Sequence, residues 1–263
     1  MIKLIAADLD GTLLDSQKRL SPHLPQLLRD LRRLGIRFTP ASGRQYHNLA
    51  LLFPDDIEDF LCIADNGGML IDRGKTIFVD EIPLEDLVQP LSIIRAAGGI
   101  YPILSGARTA YCEHTDPLFL KNARMYYEKL EIVDDVMQAA QHDRICKVAF
   151  FEHERAESHC YELLKPCADR FLRALSGRDW VDIMNPDVNK GHAMRELQKQ
   201  LGISPDECMA FGDYLNDLEL MQAVTHSYAM ANAHPDLKAV CRYTAPSNDE
   251  DGVVRTIRQV LGL

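Results

Sequence analysis

Several features are missing from this chain, and each absence narrows what it does. Its 263 residues contain no basic stripe and no Lys/Arg-rich arm; 29 basic residues stand against 39 acidic ones, a net charge of −10. That balance argues against nucleic acid as a partner, because phosphate backbones are held by clustered cations. No apolar run reaches the roughly 20 residues that a transmembrane helix needs, so no membrane partner is expected. The amino end enters a strand by its second residue, with no basic n-region and no cleavage site. The seven cysteines are odd in number, scattered, and include no C-x-x-C pair. Cys62 and Cys146 sit among apolar neighbours and read as small core residues, so a reducing cytoplasm is the expected compartment. There is no internal repeat and no low-complexity segment, and no pattern that speaks to oligomeric state.

What is present centres on Leu4-Ile5-Ala6-Ala7-Asp8-Leu9-Asp10-Gly11-Thr12-Leu13-Leu14. An apolar run closed by a glycine turn reads as a buried strand of a parallel sheet. Strand alternation would put Asp8 and Asp10 on one side only if the extended chain continued. Gly11 lets the chain turn away, so both acids are expected at the strand's carboxyl end, where open α/β sheets bind ligands. Two crowded acids repel, and a divalent cation is the usual remedy; hard Mg²⁺ prefers carboxylate, carbonyl and water oxygens. A Ca²⁺ loop of the EF-hand kind would need oxygen ligands at alternate positions and glycine at the sixth, which this stretch does not have. A solvated turn would account for the acids but not for the apolar run before them.

The surrounding rhythm is β-α-β-α-β. Ser21 and Pro22 are expected to cap and open a helix with Leu24, Leu27, Leu28, Leu31 and Leu34 along one face and Gly35 ending it. Strands follow at 36–41 and 60–64 with a helix to about 53 between them. A hairpin at 69–71 and 76–79 turns around Asp72-Arg73-Gly74-Lys75. From about residue 83 the pattern changes. Helices are predicted at 84–97, 117–130 and 154–167, and strands at 101–104, 107–112, 145–151, 171–175 and 180–184, with no phosphate-type loop among them. The first rhythm returns with a helix at 190–201, a strand at 208–211, a helix to about 224, short strands at 227–230 and 243–244, and helices at 235–240 and 252–261. The expected fold is α/β: a doubly wound, Rossmann-like parallel sheet formed by 1–82 and 187–263, with an inserted α/β cap at 83–186.

Three further stretches fall at strand ends or helix starts. Ser42-Gly43-Arg44 offers a hydroxyl and an amide to a phosphate, although Ser42 read alone is as well an ordinary N-cap and Arg44 a solvated helix-start residue. Lys190-Gly191 follows Asn189, the expected cap of a helix; a cation is misplaced at that positive pole, which points to an anion nearby unless the lysine is simply exposed. Gly212-Asp213-x-x-Asn216-Asp217 follows an apolar strand and opens a helix. An acidic first turn favours a helix by itself and would explain Asp217, but not four polar residues in this order.

Asp8-Leu9-Asp10-Gly11-Thr12 resembles the first motif of the haloacid dehalogenase superfamily of phosphohydrolases, and the other stretches match its remaining motifs in order. The position of the insert, and a tail Asn248-Asp249-Glu250-Asp251-Gly252-Val253, resemble the subgroup with a large α/β cap called Cof-type. The resemblance covers essentially the whole chain and implies a phosphatase of small phosphorylated metabolites, sugar phosphates or similar monoesters. By it, Asp8 is the nucleophile that forms an aspartyl-phosphate and Asp10 the acid and base. Mg²⁺ is held by Asp8, Asp213 and the Asp10 main-chain carbonyl. Ser42, Lys190 and Asn216, with the Leu9 and Gly43 amides, hold the phosphoryl oxygens. Asp217 orients Lys190 or a metal-bound water, and Thr12 and Arg44 support the site. Ser42 departs from the threonine more usual in related sugar phosphatases. A phosphomutase would use the same residues; intact Asp8 and Asp10 argue against a non-catalytic phospho-ligand sensor, and a scaffolding role would leave the acids unexplained. His153 and His159, six apart, face different sides of a helix, and Cys160 and Cys167 share a face, which favours packing over a metal site. Met125-Tyr126-Tyr127 is read as a core stripe in preference to a pocket lining.

Overall fold

Strand Leu4–Ala7 is hydrogen-bonded in parallel to Arg37–Pro40 on one side and to Cys208–Gly212 on the other. All four of its side chains are buried, as a continuous apolar strand requires when both faces of a sheet are covered. The computed structural model describes residues 1–176 and 178–263. In it the sheet continues from Cys208–Gly212 through His226–Met230 to Tyr243–Ala245, every pairing parallel. The strand order therefore reverses at Leu4–Ala7, the switch point at which such sheets open a crevice beyond their carboxyl ends.

Strand Leu61–Ala64 follows in the expected third place, parallel to the chain leaving Arg37–Pro40. It meets the parallel sheet through the parallel bridge Ala41–Ile63 and pairs antiparallel with Met69–Asp72, which forms a three-stranded sheet with Lys75–Val79. The two-residue turn Arg73-Gly74 has φ of +50° and +73°, the twist that a tight hairpin demands.

The first helix is Leu24–Arg33, two residues later than Ser21-Pro22 predicted. Ser21 Oγ instead accepts from His23 N at 3.1 Å in the preceding turn, and Pro25 occupies the first helical turn. Leu34 is exposed and does not extend the apolar face. The end is as expected: Gly35 at φ +70° lets its own N–H reach Arg32 O at 3.0 Å and that of Ile36 reach Leu31 O at 2.9 Å. Helices Lys190–Leu201, Pro235–Val240 and Gly252–Leu261 keep their predicted bounds.

By internal packing the chain divides into two units, Met1–Gly43 with Asp55–Lys75 and Asn189–Leu263, and Arg44–Pro54 with Thr76–Val188. The second unit is built on a six-stranded sheet in the order Leu172–Leu175, Trp180–Met184, Ile145–Phe151, Tyr101–Gly106, Ala110–Cys112, Leu130–Ile132. Alternate residues of Ile145–Phe151 enter two cores: Val148 and Phe150 pack with Leu87, Leu91 and Ile94, while Ala149 and Phe151 pack with Phe119 and Trp180. Helix Tyr46–Leu52 belongs to this unit. Gln45 exchanges hydrogen bonds with the Lys129 backbone at 3.2 Å each way, and Asn48 Oδ1 accepts from Glu128 N at 3.3 Å.

Two helices of the insert are shorter than periodicity suggested. Pro117–Tyr126, capped by Asp116, stops before residue 130 because Leu130–Ile132 leaves to pair with Ala110–Cys112. Residues 154–167 break into a π turn at Ala156–Cys160, one turn at Tyr161–Leu163 and a 3₁₀ turn at Lys165–Cys167; Pro166 cannot continue a helix. Cys160 and Cys167 are buried all the same. Of the Met125-Tyr126-Tyr127 stripe only Tyr127 is in the core; Met125 and Tyr126 are 58% and 47% exposed. Val136–Ala140 is a helix that the sequence did not signal. Among the described residues no helix is long and apolar enough to cross a membrane, and the seven cysteines are free thiols.

Candidate active site

Asp8 leaves the sheet at its carboxyl end, its N–H still donating to Phe211 O at 3.0 Å. The chain then winds tightly: Leu13 N and Leu14 N donate to Leu9 O at 3.1 and 2.8 Å. Gly11 makes this possible with φ +89°, and a Cβ there would lie 2.3 Å from Asp213 Oδ2. Glycine is thus required twice over, for the turn and for the close approach of Asp213. Thr12 fixes that carboxylate by donating Oγ1 to Asp213 Oδ1 at 2.9 Å.

Lys190 reaches the same place from the start of its helix, where Asn189 Oδ1 caps by accepting from His192 N at 2.7 Å. Its side chain is wholly buried. Nζ donates to Asp8 Oδ1 at 2.6 Å and to Asp217 Oδ1 at 2.7 Å. The alternative of a simply exposed lysine is thereby removed. Asp217 Oδ2 accepts from the N–H of Asp213 at 3.1 Å and of Tyr214 at 3.4 Å, so this carboxylate ties the lysine to the loop after Cys208–Gly212.

Asp8, Asp213 and Asp217 place a carboxylate oxygen each within 4.8 Å of one another. With Lys190 as the one cation in contact among the described residues, the cluster carries an excess of two negative charges when all three carboxylates are ionised. Burial pushes the Asp8 carboxyl up to about 7; Lys190 pulls it down, and Asp217 and Asp213 push it further up. Burial likewise raises Asp213, with Thr12 acting against it and Asp217 with it. Burial disfavours the Lys190 charge, but Asp217 and Asp8 outweigh this and hold the ammonium above its ordinary value. Such uncompensated buried charge is costly, and three hard oxygen donors suit a hard divalent cation.

Asp10 stands outside this cluster. Its carboxylate is partly exposed and paired with Lys18 at 2.8 Å. Ser42 is buried, with its N–H on Ile63 O at 2.9 Å and its carbonyl accepting from Asn66 N at 3.0 Å. It is not a helix cap, because that position of Tyr46–Leu52 is taken by Gln45. Gly43 packs against the Asn66 amide, which a Cβ would meet at 2.9 Å, and Asn66 Oδ1 accepts from Asn216 Nδ2 at 3.5 Å. Asn66 thus joins Ser42, Gly43 and Asn216. Asn66 has no role in the motif reading: it reaches this place through a left-handed backbone (φ +54°), which residue spacing does not encode. Arg44 is half-buried and begins the segment that packs with the second unit. Lys18 was also missed; a lone lysine in a polar stretch carries no mark of its partner.

A parallel sheet with its strand order reversing at Leu4–Ala7, and a buried lysine among three aspartates at that point, define a charged ligand crevice at the carboxyl end of a doubly wound α/β core. Residues 5–257 match the haloacid dehalogenase-like hydrolase family. The 5-amino-6-(5-phospho-D-ribitylamino)uracil phosphatase of Escherichia coli is 31% identical over 99% of this chain and 96% of its own length. The HMP-PP phosphatase of Klebsiella pneumoniae is 28% identical over 91% of this chain and 88% of its own. A crystal structure from Streptococcus mutans superposes with a TM-score of 0.83 at 28% identity, covering the whole of both chains. The chain belongs to the haloacid dehalogenase-like hydrolase family, and within it to the Cof-type members.

Proposed function

We propose that this protein is a Mg²⁺-dependent phosphatase of small phosphorylated metabolites that works through an aspartyl-phosphate on Asp8. The observation that carries this is the buried Lys190 ammonium bridging Asp8 and Asp217 inside a three-carboxylate cluster. Both relatives described above are named as phosphatases of small phosphorylated substrates, and sugar phosphates or similar monoesters are the class we expect here.

Asp8 and Asp213, with the Asp10 main-chain carbonyl, would hold the metal. When bound, Mg²⁺ supplies positive charge that screens the nucleophile from the phosphate and stabilises charge at the phosphorus oxygens. In the first step an Asp8 carboxylate oxygen bonds to phosphorus and the bond to the leaving oxygen breaks. Asp10 delivers its proton to that oxygen. In the second step water attacks the same phosphorus, Asp10 takes its proton, and the Asp8–phosphorus bond breaks to release inorganic phosphate. Lys190 neutralises nucleophile and phosphoryl group together. Ser42, Asn216 and the Leu9 and Gly43 amides hold the remaining oxygens, with Thr12 and Asp217 keeping Asp213 and Lys190 in place. Arg44 is retained as a supporting residue. We assign choice of the leaving group to the insertion 83–186, and we place the protein in the cytoplasm, where free thiols persist.

The test is phosphate release from a panel of phosphorylated metabolites, before and after chelation and with Mg²⁺ restored. Hydrolysis that vanishes on chelation and returns with Mg²⁺ supports the reading. Full activity in metal-free protein contradicts it.

A further inference from the structure

The tail stretch Asn248-Asp249-Glu250-Asp251-Gly252-Val253 takes no part in the chemistry above, yet it is tied to the loop that carries Asp10. Asn248 Nδ2 donates to Leu14 O at 2.9 Å, and Asp249 Oδ1 accepts from Ser16 N at 2.8 Å. The N–H of Asn248 donates to Asn232 Oδ1 at 3.2 Å, and Asn232 Nδ2 donates to Gly11 O at 2.8 Å. The loop after Asp10 is therefore gripped at Gly11, Leu14 and Ser16 by residues more than two hundred positions away.

Inside the loop Asp15 is the hub. Its Oδ1 accepts from the N–H groups of Gln17 and Arg19, each at 2.9 Å, and its Oδ2 from Arg19 Nε at 2.9 Å. Its main chain closes the turn, with Lys18 N on Asp15 O at 2.9 Å and Asp15 N on Arg19 O at 3.0 Å. Lys18 is left at φ +61°, a conformation that a non-glycine residue keeps only when its surroundings impose it. From there Nζ reaches Asp10 Oδ1 at 2.8 Å. The two side chains are 64% and 39% exposed, so the pair adds little to stability. What it supplies is orientation of Asp10.

We infer that Lys18 is a positioning residue that keeps the Asp10 carboxylate in place for hydrolysis of the aspartyl-phosphate, and that Asn232, Asn248 and Asp249 form the latch that fixes its loop. This rests on the reading of Asp10 as the acid–base group. Asp10 serves the leaving oxygen first and water second. A grip on Oδ1 holds the carboxylate so that Oδ2 can take the proton as water attacks. Without it the side chain rotates and the second step slows, because small misplacements of a reacting group cost large factors in rate.

The experiment is rapid mixing with nitrophenyl phosphate and Mg²⁺, using Lys18→Met, Lys18→Arg, Asp249→Ala and Asp10→Asn. Nitrophenol departs without help from an acid, so its burst reports the first step and the steady state reports the second. Lys18→Met is expected to keep a full burst while steady-state turnover falls about ten- to hundredfold. Lys18→Arg should restore most of that turnover, and Asp249→Ala should show the same pattern more weakly. Equal loss of burst and steady state in Lys18→Met, or no loss in either, overturns the inference. If Asp10→Asn shows no burst followed by slow turnover, the acid–base reading fails and the inference falls with it. If Asp10→Asn does so while Lys18→Met matches the wild type, the Lys18 inference alone fails.

Discussion

Lys190 and Asp8 form a buried ion pair of 2.6 Å across 182 residues of sequence, and the same ammonium holds Asp217 at 2.7 Å. The helix that begins at Lys190 and the chain leaving strand Leu4–Ala7 at Asp8 are joined by this one side chain. Neither charge is tolerable there alone, so the pair couples the integrity of the fold to the chemistry of the site.

Lys190→Ala should therefore cost both. It leaves the buried carboxylates of Asp8 and Asp217, and the half-buried one of Asp213, without their lysine, and breaking such a pair is worth about 3–5 kcal/mol. Urea denaturation of the metal-free protein should show that loss of stability, and phosphate release should fall to background. A variant as stable as the wild type would mean that the acids are already compensated in some other way.

Stability of the metal-free protein should fall with rising pH across the window set by Asp8. Its carboxyl titrates at about 7 when folded, against an ordinary value of 3.8. A raised carboxylate binds its proton more tightly in the folded state, so its contribution is complete below about pH 4, declines as pH rises and is gone above about 7. Asp8→Asn removes this contribution. Melting curves at pH 5 and pH 8 should thus differ less in Asp8→Asn than in the wild type, and Mg²⁺ should raise the wild-type melting temperature at pH 8. An unchanged pH slope in the variant would contradict the assignment.

Gly11→Ala should abolish activity while leaving the second unit folded. The new Cβ would meet Asp213 Oδ2 at 2.3 Å in a backbone conformation of φ +89°. Strain of this kind costs about 1–3 kcal/mol, and relieving it displaces Asp213 from Asp8. Titration of Mg²⁺ by calorimetry should show binding weakened at least tenfold. Wild-type affinity would mean that Asp213 is not a ligand.

Much of this arrangement was legible because the chemistry sits on strong local signals. Apolar runs ending in Asp8 and Asp213 mark strands whatever surrounds them, and Asn189-Lys190 with Gly202 marks both ends of a helix. Local patterns failed where tertiary pairing decided the outcome. Nothing in the sequence near residue 126 announces that Leu130–Ile132 will pair with Ala110–Cys112 and so end the helix. The apolar face that seemed to include Leu34 stops at Leu31, because the Gly35 turn rotates the chain toward Arg37–Pro40. Pro166 was a breaker in plain view, overridden in the reading by helical spacing around it. Lys18 and Asn66 owe their positions to left-handed backbone and to partners far along the chain, which spacing does not encode.

The most direct measurement is to trap the phosphoryl-enzyme mimic with Mg²⁺ and beryllium fluoride and to determine its structure. The account predicts an adduct on the Asp8 carboxylate, with Lys190 in contact with it and Asp213 on the metal, and no adduct in Asp8→Asn. An adduct on any other side chain, or Asp8→Asn that still turns over substrate, would contradict it.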